Sequence, residues 1–466
     1  MSRHADLLIV GAGPAGMSAA TMARRFGLDV LVVDEQPAPG GQIWRGIEAV
    51  AGTARAEVLG PAYKEGQEVV RQFRASGARY EPETQVWQIE PGPRTFMTRA
   101  GRAGSVDASA LLLATGAQER PIPFHGWTLP GVMTVGAGQI LLKASGQIPD
   151  MPVWIAGSGP LTLLYAVQLL KAGGRIAGIL DTTPAGRAVR TLPQLVQAIS
   201  GAAGEVLKGL GWLSQLRRQV RYVRHVTDIE AHGEEALQRI VYRTAKGVSH
   251  TVEAQILLVH EGVVPTIHPT LALGCKHIWN ADQDSYAPEL DPWGETSEPS
   301  VFVAGDGAGI GGAKAAVLRG QIAALGVALR FGRISAADAR SWARPIRIDL
   351  ARALAPRAFL DRFYRPRPAI FAPADGTLVC RCEEVTAGAV RAMARTGKPD
   401  PNRVKTFIRA GMGPCQGRQC SYSVASILAA ASSSTVPDIG LYRVRPPFKP
   451  LTLGELSALD SLEDAS

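Results

Sequence analysis

Four of the chain's five cysteines fall in its last fifth, as Cys380-x-Cys382 and, thirty-two residues later, Cys415-x4-Cys420. Thiolates are soft ligands, and four of them suit either a zinc ion or an iron–sulfur cluster. Zinc knuckles are ordinarily built on C-x2-C pairs. The C-x-C and C-x4-C pattern points instead to a [2Fe–2S] cluster, which four cysteines hold, although spacing alone leaves zinc and disulfides open. Gly411, Gly413 and Gly417 leave backbone N–H groups near the thiols, and a helix predicted to start near Cys420 adds positive potential. Both would stabilise a reduced, more negative cluster.

The N-terminal end carries a second kind of chemistry. "LLIVGAGPAG" reads as a strand buried on both faces (Leu7–Val10) running into Gly11-x-Gly13-Pro14-Ala15-Gly16, and Asp34 ends the next apolar strand seventeen residues on. This spacing is the dinucleotide-binding fingerprint. Its first glycine allows the tight turn, its second lets the backbone approach a pyrophosphate, and its third lets helix pack on strand. Asp34 is placed to accept from a ribose hydroxyl, with Glu35 the alternative. Farther along, "VFVAGDGAG" puts Gly305 and Asp306 where a strand end meets a helix start, a place to hold a cofactor hydroxyl or to cap the helix.

A second strand–turn–helix unit starts at "VWIAGSGPLTLL", with Gly157 and Gly159 in the turn and Asp181 at the following strand end. Threonine replaces the third glycine at position 162, which in the usual geometry obstructs close helix–strand packing. A Rossmann-like domain is therefore expected there, with NAD(P) binding less expected. No arginine cluster follows that strand to receive a 2′-phosphate.

At 466 residues the chain calls for two or three domains. No cleavable leader and no run of about 20 apolar residues is read, and cysteines are few, so a soluble cytoplasmic protein is expected. The net charge of +9 is scattered rather than interleaved with aromatics. That argues for a solvated surface or an acidic partner and against nucleic acid.

GAGPAG, "LLLATGAQERPIP", "VHEGVVPT" and "VFVAGDGAG" occur in the order found in two-dinucleotide-fold flavoproteins, which the chain resembles. The resemblance implies an α/β fold with two Rossmann-like domains, the FAD domain being interrupted by the inserted one. Gly11, Gly13, Pro14, Ala15 and Gly16 would approach the FAD pyrophosphate, Asp34 or Glu35 the adenosine ribose, and Gly305 and Asp306 the ribityl chain or pyrophosphate. "PGGQIWR" matches the GGQ loop beside the flavin in thioredoxin-reductase-like members and adds Gly40, Gly41 and Gln42; Thr115 and Gly116 match a strand end passing near the cofactor. Thiol-reducing members carry a redox C-x2-C in these domains. This chain has no cysteine before Cys275, so dithiol chemistry is excluded, and Cys275 is expected to be a small buried hydrophobe.

"CRCEEVT…GMGPCQGRQC" resembles the BFD-like [2Fe–2S] domain, a small helical unit in which Cys380, Cys382, Cys415 and Cys420 would be the ligands. The expected layout is FAD domain at 1–125 and 266–345, insertion at 126–265, linker at 346–376, cluster domain at 377–435 and an extended tail at 436–466. That tail is expected over a neighbouring surface, another subunit being one candidate. The whole order resembles the alpha subunits of opine oxidases and dye-linked D-hydroxyproline or proline dehydrogenases, with hydrogen cyanide synthase B subunits of the same layout. It implies an electron-relaying oxidoreductase subunit. Its partners would be a D-amino-acid-oxidase-like flavoprotein beta subunit, a small ferredoxin-like gamma subunit, and a quinone met by peripheral membrane contact, or a dye. The inserted domain would hold ATP, NAD(P) or nothing. No general base or nucleophile is read; His125 and His260 are taken as structural. A free-standing NAD(P)H reductase and a non-catalytic scaffold are the competing readings.

Overall fold

The structure, a computed structural model, describes residues 3–459. An apolar strand with no polar face needs cover on both sides. Arg3–Val10 finds it in the middle of a seven-stranded sheet, where Leu7, Leu8 and Ile9 are fully buried. Val30–Val33 pairs with it in parallel on one side and Arg102–Leu113 on the other, and Arg79–Glu81 extends the parallel set. The far edge of Arg102–Leu113 is shared. Its first half carries the antiparallel ribbon Thr84–Glu90 and Arg94–Arg99, and its last three residues pair in parallel with Val301–Val303, which arrives only after the insertion.

The insertion is a second, wholly parallel sheet in the order Tyr222–Val223, Ile176–Asp181, Val153–Ser158, Leu257–Glu261, Val132–Thr134. Helices Val135–Ser145 and Pro160–Lys171 pack on one face through Leu142, Leu163 and Tyr165. An antiparallel sheet of Val226–His232, Arg239–Thr244 and Ser249–Glu253 covers the other, with Trp154 and Leu180 against Ile229, Ile240 and Tyr242. The chain enters and leaves through Ala117–Glu119 and Val263–Pro265, which pair antiparallel.

The cysteine region is a short hairpin, Leu378–Cys380 with Val385–Thr386, followed by helices Ala387–Ala394, Pro401–Ile408 and Ser421–Ala431. Thr386 caps the first by accepting from Ala389 N–H (3.3 Å) and Asp400 the second by accepting from Asn402 N–H (2.8 Å). The stretch joining it to the flavoprotein domains is held rather than free: helix Arg357–Phe363 and the turn Pro368–Phe371 lie on the inserted domain. Arg367 there is paired with Glu261 at 2.9 Å, both side chains buried.

The tail lies over the chain's own first domain. Phe448 is buried among Val86, Ile89 and Met97, its N–H donating to Trp87 O (2.9 Å), and Gln85 Nε2 donates to Pro450 O (2.8 Å). Proline spacing predicts an extended path, which short helices Val436–Ile439 and Leu453–Ser457 interrupt; Tyr442 anchors the tail in the cysteine region and Phe448 on the first domain.

Candidate functional site

The fingerprint turn is closed by backbone. A Cβ on Gly11 (φ +108°) would stand 2.5 Å from Ala114 O, and one on Gly16 would stand 1.8 Å from Gly11 O, so both positions require glycine. Helix Pro14–Arg25 follows with Gly13 at its N-cap, Pro14 at its start and no side chain capping it. Its first N–H groups are left for an anion. Gly40 N–H donates to Ala12 O (2.8 Å), and Gly41 (φ +60°) sits so close to Gly13 that a Cβ would come within 2.9 Å of its Cα. Gly305 (φ +77°) backs onto Ala15, and Gly307 brings the same turn against Thr115 and Gly116. Three stretches distant in sequence thus meet at the carboxyl ends of the parallel strands, where open α/β sheets bind ligands. A backbone cradle with no Cβ to fill it, at a free helix N-terminus, fits a dinucleotide pyrophosphate.

Asp34 and Glu35 part company. Asp34 turns inward, accepting from Ala12 N–H (2.5 Å) in the fingerprint and from Gln36 N–H (2.7 Å). Burial raises its carboxyl above the usual range against the pull of those two bonds. Glu35 turns outward to an ion pair with Lys449 of the tail. Asp306 Oδ1 accepts from Gly311 and Gly312 N–H (2.8 and 2.9 Å), holding the loop before helix Ala313–Arg330. Thr115 Oγ1 donates to Thr266 O (3.1 Å), and Gln42 is exposed with Oε1 accepting from Arg45 (3.0 Å). Gly320 is a member that motif reading misses: a Cβ there would stand 2.2 Å from Ala15 O, so helix Ala313–Arg330 touches the fingerprint helix backbone to backbone.

In the second unit Gly157 (φ +137°) and Gly159 (φ +121°) form the turn, and Thr162 is buried with no partner for its hydroxyl. Asp181 accepts from Tyr222 O–H (3.0 Å) and Thr183 N–H (2.9 Å). Phe363 and Tyr364 from the joining stretch complete the wall of the cleft, which encloses about 50 Å³. A few waters fill that volume; small-molecule sites run to about 300–1,000 Å³. His260 is buried, its Nδ1 bonded to Glu119 (2.7 Å), whereas His125 is exposed in a turn.

The four C-terminal thiols come together, Cys380 beside Cys420 and Cys382 beside Cys415. Among the described residues no three Cys, His, Asp or Glu side chains surround one point as a single metal ion would need. Two pairs suit two irons better than one tetrahedral ion. The neighbouring Cys420, helped by Gly411 N–H donating at 3.5 Å, pulls the Cys380 thiol down to about 6, and Cys420 itself is pushed up. The glycines are required by close approach: Gly413 to Cys382 Cβ, and Gly411 and Gly417 to the Cδ2–Cε2 edge of the buried Tyr442 ring, whose hydroxyl lies 3.9 Å from Cys420 Sγ. Cys275 stands apart, buried in the first domain's core.

The cysteine loop abuts strand Ala117–Glu119, just beyond Thr115 and Gly116. Gln118 Nε2 donates to Arg418 O (2.8 Å), between Cys415 and Cys420. Buried Arg120 donates to the carbonyls of Gln283 (2.6 Å) and Asp284 (3.0 Å) and faces the ring of Tyr422, next to that loop.

Residues 5–327 match the family described as pyridine nucleotide-disulphide oxidoreductase, and residues 375–460 match the sarcosine oxidase A3 domain. The chain is 43% identical to the A subunit of opine oxidase from Rhizobium meliloti (strain 1021), over 97% of this chain and 98% of that one. It is 34% identical to hydrogen cyanide synthase subunit HcnB of Pseudomonas aeruginosa, over 95% and 96%. In fold it is similar to the L-proline dehydrogenase of P. horikoshii (TM-score 0.71, 20% identity, covering 98% of this chain and 80% of that one). The chain therefore belongs to the pyridine nucleotide-disulphide oxidoreductase family, among the opine oxidase A subunits, and is a flavoprotein-type oxidoreductase.

Proposed function

We propose that the chain is the electron-relay alpha subunit of a heteromeric amino-acid or opine dehydrogenase. FAD would be held by Gly11, Gly13, Pro14, Ala15 and Gly16 with Asp34, Gly40, Gly41, Gln42, Thr115, Gly116, Gly305 and Asp306. A [2Fe–2S] cluster would be held by Cys380, Cys382, Cys415 and Cys420. Flavin exchanges electrons in pairs and such a cluster passes them singly, so together they join hydride chemistry to one-electron carriers. The observation that carries this reading is the seating of the Cys415–Cys420 loop on Gln118, two residues beyond Gly116 of the flavin cradle.

This chain's own residues do the holding. Backbone N–H groups at Ala15 and Gly16 orient a pyrophosphate, and Gly411 N–H donates to a thiolate. Burial of Tyr442 keeps water from the Cys420 side. The substrate's carbon–nitrogen bond would be oxidised on a D-amino-acid-oxidase-like beta subunit, with a ferredoxin-like gamma subunit as a further partner and quinone or dye as acceptor, at the cytoplasmic side.

An anaerobic visible spectrum of the purified chain, before and after NADH and then NADPH, tests this. A flavin band over broad iron–sulfur absorbance, unbleached by either nucleotide, is expected, with no turnover of amino acids or opines by the chain alone. Rapid bleaching would make it a reductase, and a colourless chain would leave only a scaffold.

A further inference from the structure

Tyr442 reaches the cysteine region from the tail. The stretch that follows it is pinned twice: Arg443 N–H donates to Asn402 Oδ1 (3.0 Å), and Arg418 Nη1 donates to Phe448 O (2.6 Å). The ring is 3% exposed and lies in the core of that region with Val379, Val404 and Val424. Its Cε2 would stand 2.7 Å from a Cβ on Gly411, and its Cδ2 2.7 Å from a Cβ on Gly417. Backbone at two points of the cysteine loop therefore fixes where the ring lies, and with it the hydroxyl.

Packing accounts for a ring here but not for a hydroxyl, since phenylalanine would fill the same space. A buried hydroxyl calls for a partner. Among the described residues, the partner that the Tyr442 hydroxyl finds is Cys420 Sγ, at 3.9 Å. Cys420 is fully buried, beside the almost fully buried Cys380, whose Sγ takes Gly411 N–H (3.5 Å). A metal-bound cysteine sulfur has lost its proton. With Cys420 serving as a ligand, the hydrogen between these two atoms is the tyrosine's, and the O–H donates to sulfur.

We propose that Tyr442 is a positioning residue acting through Cys420: its hydroxyl donates to that ligand sulfur and raises the reduction potential of the cluster. This rests on the [2Fe–2S] reading above. One electron makes the cluster more negative, and a donor on a ligand sulfur stabilises the reduced form more than the oxidised one. No proton leaves the tyrosine.

The test is the midpoint potential of the cluster in the purified full-length chain, followed by electron paramagnetic resonance during a mediated titration. Tyr442→Phe keeps the ring and removes the donor. The reduced cluster should become about tenfold less favoured, a fall of about 59 mV for a one-electron couple. A merely structural tyrosine predicts the opposite sign, because a loosened core admits water, whose own donors favour the reduced form. An unchanged or raised potential therefore overturns the proposal. Wild type supplies a second readout if the variant holds no cluster. Brief transfer to D2O exchanges a hydroxyl faster than a buried backbone N–H, and should shift the iron–thiolate stretching bands in resonance Raman spectra. Unshifted bands overturn the proposal without any variant. A wild-type chain that binds zinc or no metal overturns the cluster reading with it, whereas a wild-type potential in Tyr442→Phe overturns this inference alone.

Discussion

Gly320→Ala is the substitution whose cost follows most directly from the packing. The residue lies within helix Ala313–Arg330, and a Cβ there would meet Ala15 O at 2.2 Å, Ala15 C at 2.9 Å and Ala15 Cα at 3.1 Å. All three are backbone atoms at the start of the fingerprint helix, so no rotamer change relieves them. Helix propensity by itself favours alanine by about 1 kcal/mol. An unstrained carbon–oxygen contact is about 3.3 Å, so the helices must part by about 1 Å, and overpacking of that order costs about 1–3 kcal/mol, more where backbone must move. The net expectation is a loss of roughly 2 kcal/mol, or a fall of about 4–8 °C in melting temperature for a domain of this size. Gly211, exposed in the part of helix Leu192–Gln219 that follows its kink at Ala202, is the internal control: nothing lies within 4 Å of a Cβ there, and alanine should stabilise by about 0.5–1 kcal/mol. Thermal melting followed by circular dichroism reads both. A Gly320→Ala protein that melts with or above wild type would refute the backbone contact between the two helices.

Two further outcomes follow from buried charge. Glu261→Gln strands Arg367, 6% exposed, in the interior and should cost about 3–5 kcal/mol, whereas Glu261→Leu with Arg367→Met should recover most of it; equal melting points for single and double variants would contradict this. His268 is held down to about 4 by burial, with Arg418 adding to the effect. The unfolded chain protonates first, near 6.5, so this group's share of stability is full above about pH 6.5 and is lost as pH falls toward 4, about 3 kcal/mol in all. Urea titrations between those limits should show a shallower acid loss in His268→Phe, and an unchanged slope would count against the assignment.

What the sequence makes legible is whatever local spacing enforces. Gly11, Gly13, Gly16 and Asp34 lie within one strand–turn–helix–strand unit, so their types and intervals carry the turn geometry with them. Thr386 and Asp400 likewise announce the helices they cap. Contacts made across hundreds of residues leave no such mark. Gly320 against Ala15, Lys143 against Gln42 and Tyr442 against Gly411 and Gly417 each look ordinary until the fold brings them together.

The second nucleotide-type unit shows why the distinction matters. Sequence reasoning rests the loss of nicotinamide binding on Thr162, because a Cβ at the matching Gly16 would collide with Gly11 O. In the fold Thr162 is buried in helix Pro160–Lys171, which still forms directly after the turn. The cleft is also walled by Phe363 and Tyr364, on a stretch that the Arg367–Glu261 pair holds to the end of strand Leu257–Glu261. A one-residue motif change and a distant aromatic wall bear on the same cleft, but only the second is a contact that can be released.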